Sequence, residues 1–290
     1  MPLQTPTLSA VSQLATLLRK GPVAVITGAG LSTASGIPAY RDKDGQWQHT
    51  RPIQHQEFLR SDAVRRRYWS RSFVGWPTMG LAEPNRGHFA LAALEQGGAV
   101  MSVITQNVDG LHQKAGSAEV IELHGSINQV RCLACQQHYP RWQMQEWLMA
   151  ANPQFNREAA KTFRAAPDGD AHLDDAIYAD CVVPHCPACS GMLKPDVVFF
   201  GDNVPRDRVA AAALAVDKAT ALLIVGSSLM VYSGFRFADQ AHKLGKPIFM
   251  INQGITRADA LLTTKIEADC SDTLEQLQCE LDAPLMEIYG

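Results

Sequence analysis

Five short, mainly apolar runs rich in β-branched residues, at positions 23–26, 100–104, 197–200, 222–225 and 248–251, constrain the fold more than any other feature of this chain. Runs of this length without polar alternation suit strands buried on both faces, as in a parallel sheet covered by helices. Helix-length segments lie between them, among them 88–96 and the alanine-rich 206–219. That alternation predicts an α/β fold with a Rossmann-like parallel sheet. Because the runs cluster toward both ends of the sequence, one sheet is expected to draw on N-terminal and C-terminal parts. Residues 12–18 read as a short amphipathic helix ahead of the first strand.

Two regions break the rhythm and read as insertions at the edge of the sheet. The first is rich in Arg, Trp and Phe; the second begins and ends with cysteine pairs. The expected organisation is a Rossmann-like domain from 1–40, 85–130 and 194–290, a loop and helical module at 41–84, and a smaller inserted zinc-binding module at 131–193. Asn152-Pro153 and residues 166–170 are turn signals within the second insertion. Of seven cysteines, four form Cys132-x2-Cys135 and Cys186-x2-Cys189, an odd total that suits metal binding better than a disulfide framework. Four thiolates complete a tetrahedral shell with no position left for water or substrate, so the zinc is expected to be structural.

A net charge of -3 offers no basic field for nucleic acid, and no direct nucleic-acid partner is expected. No stretch approaches the roughly 20 apolar residues that span a bilayer. The N-terminal residues lack the charged and apolar regions of a signal peptide. A soluble protein without a membrane partner is the expectation, cytoplasmic in a bacterium or in the mitochondrial matrix of a eukaryote.

Gly28-Ala29-Gly30 follows the first apolar run and precedes Ser32, Thr33, Ser35 and Gly36. Glycines there allow close backbone approach to a pyrophosphate, and a helix N-terminus supplies oriented N–H donors. Position 33 is Thr, so the common G-x-G-x-x-G fingerprint is broken. Taken alone, a Gly-Ala-Gly turn equally well ends a strand.

The longer string from Gly28 to Arg41, read with Thr105-Gln-Asn-Val-Asp-Gly-Leu-His112 and Leu123-His-Gly125, strongly resembles the sirtuin family. Lys194-Pro-Asp-Val-Val-Phe-Phe-Gly-Asp202, Gly226-Ser-Ser-Leu229 and Ile251-Asn-Gln-Gly254 continue the match in order. The resemblance implies an NAD-dependent protein-lysine deacylase that acts on acyl-lysine proteins or peptides and releases nicotinamide and O-acyl-ADP-ribose. NAD is then the cosubstrate and His124 the general base for a ribose hydroxyl; an imidazole with an ordinary pKa near 6.5 suits that step at neutral pH.

Further roles follow from the same resemblance. Asn107 and Asp109 join His124 in the catalytic set and line the nicotinamide and ribose pocket beside Gln106. Ile37 and Pro38 close the pocket, while Tyr40, Arg41 and Trp47 belong to the cofactor loop. Tyr40 stands where the family usually carries phenylalanine. Gly28, Ala29, Gly30 and Ser32 face the phosphates; Gly226, Ser227 and Ser228, an anion-friendly turn, fit adenosine binding together with Asn252, Gln253, Gly254 and, through its backbone, Cys270. On residue type alone Asp109 is also an ordinary turn residue before Gly110, and Arg41 an ordinary surface charge.

Residues 197–201, including Val198, Phe199 and Gly201, together with 231–234, would bracket the substrate peptide as an added strand. Residues 68–77 and Val231-Tyr-Ser-Gly-Phe235, where Ser233 replaces a more usual proline, resemble the class II, sirtuin-4-like branch. Tyr68 and Arg71 at i, i+3 share a helix face and could receive an acyl carboxylate, favouring acidic or long acyl groups over acetyl. The competing reading is a surface arginine beside a packing tyrosine. Two other functions use the same residues: a mono-ADP-ribosyltransferase, and a zinc-ribbon binding protein that only senses NAD.

Overall fold

The computed structural model describes residues 9–42, 44–46, 52–154 and 180–283. Its strands in chain order are β1 (Val23–Thr27), β2 (Val100–Thr105), β3 (Val120–Glu122), β4 (Gly125–Cys132), β5 (His138–Pro140), β6 (Leu193–Val197), β7 (Leu222–Val225), β8 (Ile248–Ile251) and β9 (Thr264–Ile266). Its principal helices are α1 (Ala10–Leu18), α2 (Ala29–Ser32), α3 (His55–Arg60), α4 (Asp62–Gly80), α5 (Arg86–Gln96), α6 (Leu111–Lys114), α7 (Arg141–Ala151), α8 (Arg206–Lys218), α9 (Tyr232–Lys243) and α10 (Cys270–Asp282). No helix among the described residues is long and apolar enough to cross a membrane.

Six strands form one sheet in the order β3-β2-β1-β7-β8-β9, and every pairing is parallel. The N-terminal part supplies β1 to β3 and the C-terminal part β7 to β9, as the distribution of apolar runs predicts. Alternation along the strands explains why the runs are apolar at every position but Ser102. Val23 and Val25 face a core shared with Leu14, Leu91 and Leu274. Ala24 and Ile26 face the opposite core with Ala212, Val216 and Phe237. Side chains at successive strand positions point to opposite faces, so a sheet with helices on both sides leaves few polar positions, and Ser102 meets its need by donating to the Glu119 carbonyl at 3.2 Å.

The run at 197–200 departs from expectation. Only Val197 belongs to a strand, and that strand, β6, lies in a second, antiparallel sheet ordered β5-β4-β6. The run is apolar for a different reason: Val197 and Phe199 enter a core with Phe58, Tyr68 and Trp69. Beyond β6, Phe200 makes a single parallel bridge to Gln54.

The two insertions form one small lobe rather than separate modules. Phe58, Trp69 and Phe73 from the first share a core with Val130, Tyr139, Leu148 and Leu193 from the second. Trp69 Nε1 donates to the Leu193 carbonyl at 3.3 Å. Arg141, 1% exposed, crosses the junction: its Nη2 donates to the Ser72 carbonyl and hydroxyl, both at 3.0 Å. The guanidinium also stacks over Trp69 and Trp76, at 5.5 and 4.9 Å from their ring centres. Small-lobe strands β4 and β6 straddle the expected limits at 130/131 and 193/194. The turn signal at 166–170 lies outside the described residues.

Candidate active site

All six parallel strands end at the same edge of the sheet, and each end carries residues singled out from the sequence. Gly28 follows β1, Gln106 to Asp109 follow β2, and His124 lies just past β3. Ser227 and Ser228 come just after β7, Asn252 follows β8, and Cys270 opens α10 after β9. The chain reverses its direction of sheet growth between β1 and β7, and ligands of open α/β sheets bind outside such a switch point.

The loops on either side of the switch point interlock. A Cβ on Gly30 would lie 2.8 Å from the Gly226 carbonyl oxygen, and one on Gly28 would lie 2.7 Å from the Ser227 Cβ. Gly226 itself has φ +60, and a Cβ there would come within 2.3 Å of the Leu31 nitrogen. The glycines thus serve a close approach of loop against loop, in which the Gly28 and Gly30 N–H groups donate to the Val225 and Gly226 carbonyls at 3.1 and 2.8 Å.

Asn107 Nδ2 donates to the Gly28 carbonyl at 3.1 Å and to Ser32 Oγ at 3.0 Å. Ser32 Oγ in turn donates to Asp109 Oδ2 at 2.8 Å, while Asp109 Oδ1 accepts the Leu111 N–H at 3.0 Å. Burial raises the Asp109 carboxyl above its ordinary range against these bonds. With both oxygens engaged, Asp109 acts as an anchor that orients Ser32 and, through it, the Asn107 amide. Gln106 Nε2 ties the β2 and β7 ends together by donating to Ser227 Oγ at 2.7 Å.

His124 sits between β3 and β4, at the seam of the two lobes. Its Nδ1 lies 3.0 Å from the Gln106 carbonyl, which can only accept, so Nδ1 carries the proton and Nε2 the basic lone pair. Nε2 is 2.8 Å from Ser233 Oγ, the hydroxyl donating. Burial depresses the imidazole below its ordinary pKa; the Gln106 carbonyl opposes that and the Arg208 charge adds to it. A neutral imidazole with one committed nitrogen and one basic nitrogen is competent to take a proton at neutral pH.

Ile37 is buried beside this edge and Pro38 follows it. Tyr40 packs edge-on to Phe200, with ring centres 6.4 Å apart. Arg41 Nη1 donates to the Gly45 carbonyl at 2.6 Å. Trp47 lies outside the described residues. Asn252 is buried, with Nδ2 on the Gln253 carbonyl at 2.7 Å, and the next turn is tied down by Lys265 Nζ on the Gly254 carbonyl at 2.7 Å. The Cys270 thiol points into the core, and burial pushes it up to about 12. Only its backbone is left for a ligand.

Beside the seam, a recess is lined by Tyr40, Pro52, Ile53, Tyr68 and residues 197–200. Tyr68 and Arg71 do lie on one helix, α4, but only Tyr68 reaches this wall. Tyr68 is 3% exposed and packs against Phe58, Trp69 and Phe199, at 5.7, 5.2 and 5.2 Å between ring centres. Of the expected strand bracket, residues 232–234 open α9 instead, and only Val231 retains extended dihedrals there. On the other side Val198 N–H is already bonded to the His124 carbonyl at 2.8 Å. Gly201 has φ +78 and turns the chain after Phe200.

Cys132, Cys135, Cys186 and Cys189 bring their four sulfurs within 4.8 Å of one another. The Cys132 and Cys189 sulfurs are 3.5 Å apart and those of Cys135 and Cys186 3.8 Å apart. A tetrahedron with zinc–sulfur bonds of about 2.3 Å has edges of about 3.8 Å, so the four thiols fit a structural zinc. Tyr139 Oη lies 3.2 Å from the Cys186 sulfur and supports that ligand from behind.

Ser233 and Arg208 acquire roles here that sequence reasoning did not assign. Their separation from His124 along the chain hides both contacts; the only local signal was a serine at a position where proline is usual.

The Sir2 family profile matches residues 28–233. An NAD-dependent protein deacetylase of Xanthomonas campestris pv. campestris is 54% identical over 255 residues, covering 88% of this chain and 86% of the relative. NAD-dependent protein deacetylase 3 of Pseudomonas syringae pv. tomato is 48% identical over 280 residues, covering 96% and 99%. A solved complex of Sir2 with a p53 peptide and NAD+ superposes with a TM-score of 0.74 at 29% identity, covering 94% of this chain and 98% of that one.

Proposed function

Because the chain belongs to the Sir2 family, we propose that it is an NAD-dependent protein-lysine deacylase in which His124 is the general base. The observation that carries this reading is the state of His124 itself. Its Nδ1–H is held by the Gln106 carbonyl, so the basic Nε2 is fixed at the strand ends where a dinucleotide would bind.

The residues present fit NAD. The glycines at the β1 and β7 ends carry no side chain to bar a pyrophosphate from the strand ends, Ser228 and the Asn252 turn offer polar groups to the adenosine end, and the Asn107 amide is oriented for the carboxamide end. NAD supplies an anomeric carbon from which nicotinamide departs when an acyl-lysine oxygen attacks. The protein's part is to hold the amide partner rigid through Asp109 and Ser32, and to accept a ribose hydroxyl proton at His124 Nε2. Tyr40 and Phe200 shield the seam from water. The zinc, bound away from these groups, serves as scaffold.

The apolar wall of the recess supports acyl groups larger than acetyl, with the Tyr68 phenol as a polar contact within it. The sequences at 68–77 and 231–235 support a place near the sirtuin-4-like branch. Acidic acyl groups would also require Arg71 to reach the recess as substrate enters.

Acetyl-, succinyl-, methylglutaryl- and decanoyl-lysine peptides, incubated with NAD and read by mass spectrometry, test both levels. His124→Ala should lower deacylation by about 10²- to 10⁴-fold, the range typical of a lost general base, while calorimetry shows NAD still bound. Full deacylation by His124→Ala would sink the assignment, and acetyl turning over fastest would remove the preference for larger groups.

A further inference from the structure

The basic nitrogen of His124 does not face open space. Its lone pair is occupied by the Ser233 hydroxyl at 2.8 Å, and an imidazole nitrogen has only one such lone pair. A substrate hydroxyl must therefore displace Ser233 or reach the imidazole through it. Two features favour the second route. Gln106 sets both partners: its carbonyl holds His124 Nδ1, and its side chain packs against Gly234, where a Cβ would lie 2.5 Å from Gln106 Oε1. Gln106 is itself tied to Ser227, so the first turn of α9 and the imidazole ring share one rigid reference. Ser233 is also half-buried rather than enclosed, and its hydroxyl, while donating to Nε2, keeps lone pairs free to accept.

We propose that Ser233 is a proton relay between the substrate hydroxyl and His124. The substrate O–H bond breaks as a new O–H bond forms on Ser233 Oγ; the original Ser233 O–H bond breaks as an N–H bond forms on Nε2. The step leaves an alkoxide on the substrate, a neutral serine and an imidazolium whose Nε2–H now donates back to Oγ. That reversed bond is charge-assisted and stronger than the first, so the serine stabilises the product of the transfer. The charge that acts on the ring is Arg208 of α8, which disfavours the imidazolium; Arg208 pairs with Asp196 of β6 at 2.8 Å, and both act on Glu122 of β3. Ser233 offsets part of the cost that Arg208 imposes.

The inference rests on His124 being the base, and the test separates the two. Ser233→Ala and Ser233→Thr are compared with wild type, first in the free protein by NMR of ¹⁵N-labelled histidine. Ser233→Ala should shift the His124 Nε2 resonance and lower its titration midpoint by about half a pH unit or more, and Ser233→Thr should restore both. Single-turnover deacylation should fall about tenfold or more in Ser233→Ala, with NAD affinity retained, and recover in Ser233→Thr. A single-turnover rate in Ser233→Ala equal to or above wild type overturns the relay whatever the spectrum shows, as does a fall that Ser233→Thr does not reverse. If His124→Ala is inactive while Ser233→Ala runs at full rate, only the relay is lost; if His124→Ala is active, the base assignment itself fails.

Discussion

The lobe built on the six-stranded sheet buries aliphatic side chains on both faces, with Val, Ile, Leu and Ala from strands and helices in alternating layers. The small lobe buries Trp69, Phe58, Tyr68 and Phe199, and among them two cations, Arg141 and Lys194, each 1% exposed. Burial depresses the Arg141 guanidinium to about 10 and the Lys194 ammonium to about 8. Lys194 is held by backbone carbonyls, including that of Val197, and by the Phe199 ring 4.2 Å away. Burying a charge costs several kcal/mol before such partners repay it. A lobe assembled from two distant insertions therefore depends on specific anchors, whereas the sheet lobe depends on area and shape. Four cysteines supply another anchor, two of them, Cys132 and Cys186, within the shared core.

This contrast makes the lobes separable by spectroscopy, because all five tryptophans of the sequence fall within 41–84 and 131–193. Tryptophan fluorescence thus reports mainly the small lobe, through Trp69, Trp76, Trp142 and Trp147, and far-ultraviolet circular dichroism mainly the large one. The largest effect is expected from the metal site. Structural zinc contributes about 10 kcal/mol or more to folding in small domains, so chelation or Cys132→Ala should collapse the tryptophan signal while most of the dichroism persists. Simultaneous loss of both signals would show that the lobes fold as one unit.

A second perturbation acts on the sheet lobe. Gly226→Ala places a Cβ 2.3 Å from the Leu31 nitrogen at a residue with φ +60. Combined strain and displacement should cost about 4 kcal/mol, lower the dichroism melt and weaken NAD binding measured by calorimetry, with the native tryptophan spectrum unchanged. A variant with wild-type affinity and melting temperature would show that the two loops can move apart freely.

Mild acid should act through the same lobe. His88 and His112 lie 5.0 Å apart between ring centres, and burial depresses them to about 4 and about 3, His88 adding to the shift of His112. Because the folded values lie below the unfolded 6.5, the unfolded chain takes up protons first. Their contribution is present in full above pH 6.5 and declines as the pH falls through 6.5 toward 4 and 3. Between pH 7.5 and 5.5 each histidine should remove about 1.4 kcal/mol, and His88→Gln should halve the acid shift of the dichroism melt. An unchanged pH dependence in His88→Gln would mean that this pair does not titrate on unfolding.

Much of the sheet lobe was legible because its signals are local. Four of the five apolar runs are parallel strands of the sheet, and the glycine turn, Asn107, Asp109 and His124 all lie at strand ends, where an α/β ligand binds. The run at 197–200 misled for a physical reason: an apolar stretch records burial but not which core receives it. Tyr68 and Arg71 show the same limit. Their i, i+3 spacing places them on one helix, yet the neighbouring Phe58 and Phe199 decide that Tyr68 lines the recess.

The amino-acid sequence by itself determined the doubly covered parallel sheet, the four-thiol metal site and the family of chemistry, because each is written in residue types at short spacing. Tertiary structure alone decided that two insertions share one core around Arg141, that Gly28, Gly30 and Gly226 interlock, and that Ser233 meets the basic nitrogen of His124. Those contacts join residues distant along the chain, and their energies depend on burial and geometry that local pattern does not encode.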